Sequence, residues 1–145
     1  MAGHLCALLI HNYPELFKEL EGVLKDLSVK TWNTKTVASA ENLIPQLNPI
    51  LVFIESSLWD TSYPQHVDLA RKPDLALNVI VVGTGIDIEL YLSAIKRGAF
   101  SFIAPPFTHD ELNVVVNSAV MDARERRGTA NGHVSQLIIG QVPGL

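Results

Sequence analysis

Ile50-Leu51-Val52-Phe53-Ile54 is an unbroken apolar run, and three of its five residues, Ile50, Val52 and Ile54, are β-branched. Pro49 opens it and the polar Glu55-Ser56-Ser57 closes it. An apolar run this short, with no polar alternation, reads as a strand buried on both faces. Burial on both faces requires helices above and below, hence a parallel α/β sheet. In such sheets the chemistry lies past the carboxyl ends of the strands. Glu55 is the first residue past this end.

Working outward, Leu5 to Ile10 and Val79 to Val82 repeat the buried-strand pattern, and Ser101 to Ile103 is a shorter version. Val29 to Thr34 is more polar, with Lys30 between Val29 and Thr31, which predicts an edge strand. Helical spacing joins Leu16, Phe17, Leu20, Val23, Leu24 and Leu27, with Asn12 as the expected N-cap and Pro14 and Glu15 in the first turn. Ser39 and Glu41 open a short helix that Pro45 should kink or shorten. A loop is expected from Glu55 to Tyr63, then a helix from near Pro64. Asp87 is the expected cap of a helix running to Lys96. Thr108 and Glu111 form a capping box ahead of Leu112, Val115, Val116, Ala119, Val120 and Ala123. Five β-α repeats predict a doubly wound sheet. Gly128 to Gly132 reads as a breaker-rich linker, followed by the apolar Val134 to Leu145.

A length of 145 residues suits one domain. The net charge of -4 argues against a broad nucleic-acid or anionic-membrane surface. Cys6 is the single cysteine, so no internal disulfide can form, which fits a reducing cytoplasm. Its place in a strand predicts an inert core thiol. No apolar run approaches the roughly 18 residues of a membrane span. The N-terminus MAGHLCALLIHN has neither a basic leader nor a cleavage site, so no signal peptide is expected.

Four landmarks in register resemble the receiver domain of bacterial response regulators, from Leu5 to about Arg127. Ala7-Leu8-Leu9-Ile10-His11-Asn12-Tyr13-Pro14 is similar to the first strand and its acidic-pair turn. Pro49 to Glu55 is similar to the third strand with its phosphoacceptor, and Val81-Val82-Gly83-Thr84-Gly85 to the fourth strand with its switch threonine. Gly98-Ala99-Phe100-Ser101-Phe102-Ile103-Ala104-Pro105-Pro106-Phe107 is similar to the Gly-Ala, fifth strand and Lys-Pro-Phe turn. The resemblance implies a flavodoxin-like, CheY-like sheet of order 2-1-3-4-5. It also implies a cis bond before Pro106, and a dimer face of Ile88 to Arg97, Ser101 to Ile103 and the outer side of the last helix. Val114, off that helix's core stripe, is expected at the surface.

The departures from the family pattern carry the functional reading. A working receiver holds Mg²⁺ with an acidic pair and an aspartate, and pairs the phosphoryl group with a lysine. Here His11 and Asn12 stand at the acidic pair, Glu55 at the phosphoacceptor and Pro105 at the lysine. Mg²⁺ needs hard, charged oxygens, which this set supplies poorly. Thr84 keeps its family identity, and Phe102 holds the switch-aromatic position above it. The chain therefore resembles a pseudo-receiver: not an enzyme, without catalytic residues, metal or cofactor, and fixed in one state. The alternative is a phosphoaccepting receiver with atypical residues; a small flavodoxin-like enzyme is a third reading.

Ser135 to Leu145 resembles the opening of the AAA+ ATPase domain of sigma-54-dependent activators. The expected organisation is a receiver-like domain over 1–127, then a linker and ATPase start over 128–145. The implied partners are a second copy of the chain, as a homodimer, and attached ATPase and DNA-binding domains. No direct nucleic-acid or membrane contact is expected.

Each site residue also has a plainer role. Glu55 is either a built-in mimic of aspartyl phosphate or a residual, partly solvated carboxylate. His11 either pairs with Glu55, binds a metal with it, or makes a simple polar contact; one His and one Glu are too few for zinc. Gly83-Thr84-Gly85 lacks the spacing of a phosphate loop and predicts a tight turn. Ser56, Ser57, Asp60 and His66 contain triad residue types without a nucleophile elbow, which makes chance composition the better reading. Arg124, Arg126 and Arg127 are expected to complement the last helix's C-terminal dipole.

Overall fold

The computed structural model describes residues 5–61 and 76–132. Five parallel strands form one sheet: β1 (Leu5–Ile10), β2 (Val29–Thr34), β3 (Leu51–Glu55), β4 (Asn78–Val82) and β5 (Ser101–Ile103). Their order is β2-β1-β3-β4-β5, as expected, with the polar β2 at one edge. Ala7 to Ile10 pair with Leu51 to Ile54, and Leu51 to Glu55 pair with Asn78 to Val82. The helices are α1 (Pro14–Asp26), α2 (Val37–Leu47), α3 (Ser56–Thr61), α4 (Ile88–Lys96) and α5 (His109–Gly132).

The continuous apolar runs are explained by a core on each face. Leu9, Leu51, Phe53, Ile80 and Val82 pack against Phe17, Leu20 and Leu24 of α1 and Leu112, Val116 and Ala119 of α5. Their strand neighbours Leu8, Ile10, Val52, Ile54, Val79 and Val81 face the other way, onto Val37, Ala40 and Ile44 of α2, Trp59 of α3 and Ala94 of α4. Leu51 to Ile54 expose no surface at all. Each such side chain contributes roughly 1.5–3 kcal/mol from burial, so the run at the centre of the sheet is a substantial part of its stability. Cys6 is buried in β1, and desolvation raises its thiol pKa, in keeping with an inert core residue.

Several local expectations need correction. The N-cap of α1 is Tyr13, without a side-chain cap bond, and Asn12 is used elsewhere. The N-cap of α2 is Thr36, whose hydroxyl accepts from Ser39 N–H at 3.0 Å. Pro45 lies inside α2, which ends two residues later at Leu47. Residues 56–61, expected as loop, form α3. Asp87 and Thr108 cap α4 and α5, accepting from Leu90 N–H and Glu111 N–H. The helix expected near Pro64 lies outside the described residues, as does the stretch from 133 onward.

Most consequentially, α5 continues through Gly128 to Gly132, where a linker was expected. Arg126 and Arg127 are therefore not at the helix's end, which corrects the dipole reading. Arg126 donates to Asn78 Oδ1 at 2.7 Å and to Leu77 O at 3.2 Å. Arg127 donates to Ala76 O, Asn48 O and Pro49 O. The buried Asn78 completes the set by donating to Ala119 O and to Asp122. Buried polar groups need such partners, and here they fasten α5 to the turns that feed β3 and β4. Among the described residues no helix is long and apolar enough to cross a membrane.

Candidate functional site

The carboxyl ends of β1, β3 and β4 bring His11, Asn12, Glu55 and Gly83 to one rim of the sheet. Glu55 ends β3 opposite Val82, with its side chain only partly exposed. Its Oε1 accepts the Asn12 backbone N–H at 3.0 Å, and its Oε2 accepts the Ser57 hydroxyl at 2.7 Å. Both carboxylate oxygens are thus held by donors from the chain itself. Ser57, whose sequence context offered only a strand-closing polar residue and triad-like composition, donates to the carboxylate two residues before it.

His11 turns away from Glu55. The Tyr13 N–H donates to its Nδ1 at 3.1 Å, so the ring proton sits on Nε2 and is donated to Asn33 Oδ1 at 2.7 Å. Asn33 in turn donates to Glu21 Oε2 at 3.0 Å. The ring is stacked on Phe17, with centroids 4.1 Å apart and an interplanar angle of 13°. Of the roles weighed for His11, the plain polar contact is the one formed, and its partner is Asn33 rather than Glu55. Asn33 and Glu21 were missed because they come from β2 and α1; only the β1–β2 register, with Leu9 opposite Asn33, brings them to the histidine.

A receiver fold implies Mg²⁺ at this rim, and the residues present do not suit it. One carboxylate is available, already accepting two hydrogen bonds, beside an imidazole committed elsewhere and an amide. Divalent magnesium is held through several hard oxygens. Among the described residues, no three His, Cys, Asp or Glu side chains converge as metal ligands.

The expected switch pair is also rearranged. Thr84 is exposed, and the residue beneath Phe102 is Gly83. The Gly83 N–H donates to Ile103 O at 2.8 Å, tying the end of β4 to β5. Phe102 meets Tyr91 of α4 edge-on, with centroids 6.3 Å apart. The Pro105–Pro106 bond is cis, as expected.

A larger apolar surface flanks this rim. Ile86 is 88% exposed and Ile88 67%, and Tyr91, Leu92 and Ile95 continue the stripe along α4. Val114 and Met121 extend it on α5, at 65% and 68% exposure. Beside Val114 a groove of about 500 Å³ is lined by Ile103, Ala104, Phe107, Leu112, Val114 and Val115, with Asp110 and Glu111 next to them. Val114 is at the surface, as expected from its place off the core stripe.

Comparison with known proteins agrees with this architecture. No protein-family model matches the chain. The nitrogen assimilation regulatory protein NtrX of Azorhizobium caulinodans is 26% identical over 125 residues, covering 83% of this chain and 27% of that protein. NtrX of Brucella abortus, crystallised in complex with ADP, superposes with a TM-score of 0.75 at 26% identity, over 89% of this chain and 29% of that one. The beryllofluoride-activated receiver domain dimer of NtrC4 superposes with a TM-score of 0.70 at 19% identity, over 81% of this chain and 98% of that domain. The chain has the response-regulator receiver fold, and it spans about a quarter of the length of the curated relative it matches.

Proposed function

We propose that this receiver-fold chain is a regulatory, non-catalytic signalling domain whose output does not depend on phosphorylation. The observation that carries the reading is the company of Glu55: its oxygens accept from Asn12 N–H and Ser57, and among the described residues no three His, Cys, Asp or Glu side chains converge as metal ligands. Phosphoryl transfer to a carboxylate needs a metal to neutralise the incoming charge and a cation for the transferred group. His11 is bonded to Asn33, Asn12 is an amide, and Pro105 has no charge to offer. Incubation of the purified protein with acetyl phosphate and Mg²⁺ should leave its mass unchanged. A stoichiometric acid-labile adduct on Glu55 would establish the competing reading, a phosphoaccepting receiver with atypical residues.

The output surface in this proposal is the apolar face of α4, β5 and α5, acting through self-association. Its support is the run of exposed Ile88, Tyr91, Leu92, Val114 and Met121, an apolar patch of the kind that marks protein contacts. The attached effector is an ATPase and DNA-binding module of the sigma-54-activator type, after the resemblance of Ser135 to Leu145 and the partial coverage of NtrX. Light scattering at micromolar concentration should find a dimer with or without beryllofluoride. A monomer in both conditions, or a dimer only with beryllofluoride, defeats this part of the proposal.

A further inference from the structure

Gly83 is a glycine for a reason outside its own backbone. Gly98 has a positive φ of 106°, but Gly83 does not adopt the left-handed conformation that favours glycine. What excludes a side chain at 83 is the Phe102 ring. A β-carbon built on Gly83 would lie 2.6 Å from Phe102 Cζ and 3.3 Å from Cε1. Carbon atoms pack at about 3.5–4.0 Å, so ring and side chain cannot share the space. Gly85, two residues on, would meet nothing within 4 Å.

The ring resting on Gly83 also braces the outer surface. Phe102 stands edge-on to Tyr91, near the ideal perpendicular at 85°. Tyr91 belongs to the exposed stripe with Ile88, Leu92 and Ile95. A small cleft lined by Ile86, Asp87, Ile88, Tyr91, Phe102 and Ala104 opens between them. The Gly83–Ile103 hydrogen bond holds the floor of this arrangement in register with β5.

We propose that Gly83 is a socket that seats Phe102 and thereby sets the α4–β5 surface in a single form. The missing β-carbon is the determinant: a side chain at this position lifts the ring, releases Tyr91 and changes the face presented to a partner. The closest conflict is with the far end of a side chain, Phe102 Cζ, while the backbone Gly85 O lies 3.3 Å from the added carbon, so a methyl is accommodated chiefly by moving the ring, with a small shift of the 83–85 turn. The inference rests on the self-association reading for its second readout only.

The test is a cycle of Gly83→Ala, Phe102→Ala and the double variant, read by NMR on the isotopically labelled chain and by sedimentation. In the parent protein the Gly83 Hα should carry a ring-current shift. Gly83→Ala should move the Tyr91 ring and the Ile88 and Leu92 methyl resonances, and weaken self-association about tenfold or more. Phe102→Ala should move the same resonances. Adding Gly83→Ala in that background should change them no further, because the two residues act through one contact. A folded Gly83→Ala protein with unmoved Tyr91 and α4 methyls overturns the proposal, as does an equal effect of Gly83→Ala with and without the ring. If Gly83→Ala does not fold, Phe102→Ala alone decides: unmoved α4 resonances overturn the socket. A monomeric parent protein refutes self-association, while the NMR arm still decides on the socket.

Discussion

Ser57 donates its hydroxyl to Glu55 Oε2 at 2.7 Å, closing a small ring between the last residue of β3 and the first turn of α3. The opposite oxygen takes a backbone N–H from Asn12, at the end of β1. Glu55 therefore works as a brace between two strands and a helix.

This arrangement separates two neighbouring substitutions. Ser57→Ala removes a side-chain donor and should cost about 0.5–1.5 kcal/mol. Asn12→Ala leaves the donating backbone N–H in place and should be nearly neutral. Urea unfolding of both variants, compared by midpoint at constant slope, checks the difference.

Val114→Asp, placed on a side chain 65% exposed on α5, should change folding stability by no more than about 0.5 kcal/mol. On the proposed contact face it buries a charge against apolar neighbours and should abolish self-association. Sedimentation velocity beside a thermal melt reads both effects. A Val114→Asp protein that still dimerises would move the contact to another face.

The pH dependence of stability should include a contribution from Asp122. The Asn78 amide, and then Arg126, hold its carboxyl below the usual carboxylate range, against a partial desolvation that acts the other way. A folded pKa below the unfolded one stabilises the protein above the unfolded value, near pH 4, and that stability is lost as pH falls through the folded pKa. Asp122→Asn should therefore flatten the acid limb of the stability curve below about pH 4. Because the side chain is 44% exposed, solvent screening keeps the effect small. Urea midpoints for both proteins between pH 3 and 6, on the order of that window, provide the comparison.

Arg127→Ala should be more damaging than its place near the end of a helix suggests. It leaves the carbonyls of Ala76, Asn48 and Pro49 without their guanidinium donor. A cost of about 1–3 kcal/mol follows from the two carbonyls on buried residues, Ala76 and Pro49, being left unpaired, Asn48 being exposed. Amide hydrogen exchange should rise over residues 128–132, where Arg124→Ala leaves it unchanged.

The strands were legible in the sequence because burial on both faces removes polar alternation. Leu51 to Ile54 could not be mistaken for a half-exposed strand, and the polarity of Val29 to Thr34 marked the edge. Caps were less legible. Asn12 has the chemistry of an N-cap, but α1 begins at Pro14 with Tyr13 as its cap, which leaves Asn12 one residue outside the capping position. Thr84 was placed beneath Phe102 by resemblance, and the true neighbour is one position earlier, at Gly83. A single-residue difference in where β4 ends moves that contact, and local patterns do not resolve ends so finely. Gly128 to Gly132 do not break the helix, for an energetic reason. A glycine costs a helix only about 1 kcal/mol, and the arginine anchors just before Gly128 offset that penalty through contacts that are distant in sequence.

A helix without a break from His109 to Gly132 is a rod of 24 residues, about 36 Å long. Its base is bolted to the sheet by Asn78, Arg126 and Arg127, so the bearing of the chain at residue 132 is set by helical phase. Removing one residue from 129–132 turns that bearing by about 100° and draws it back about 1.5 Å, whereas removing or adding four nearly restores it. Under the proposed function the domain transmits an angle as well as a connection to its effector, and the spacing after Arg127 acts as its gear setting.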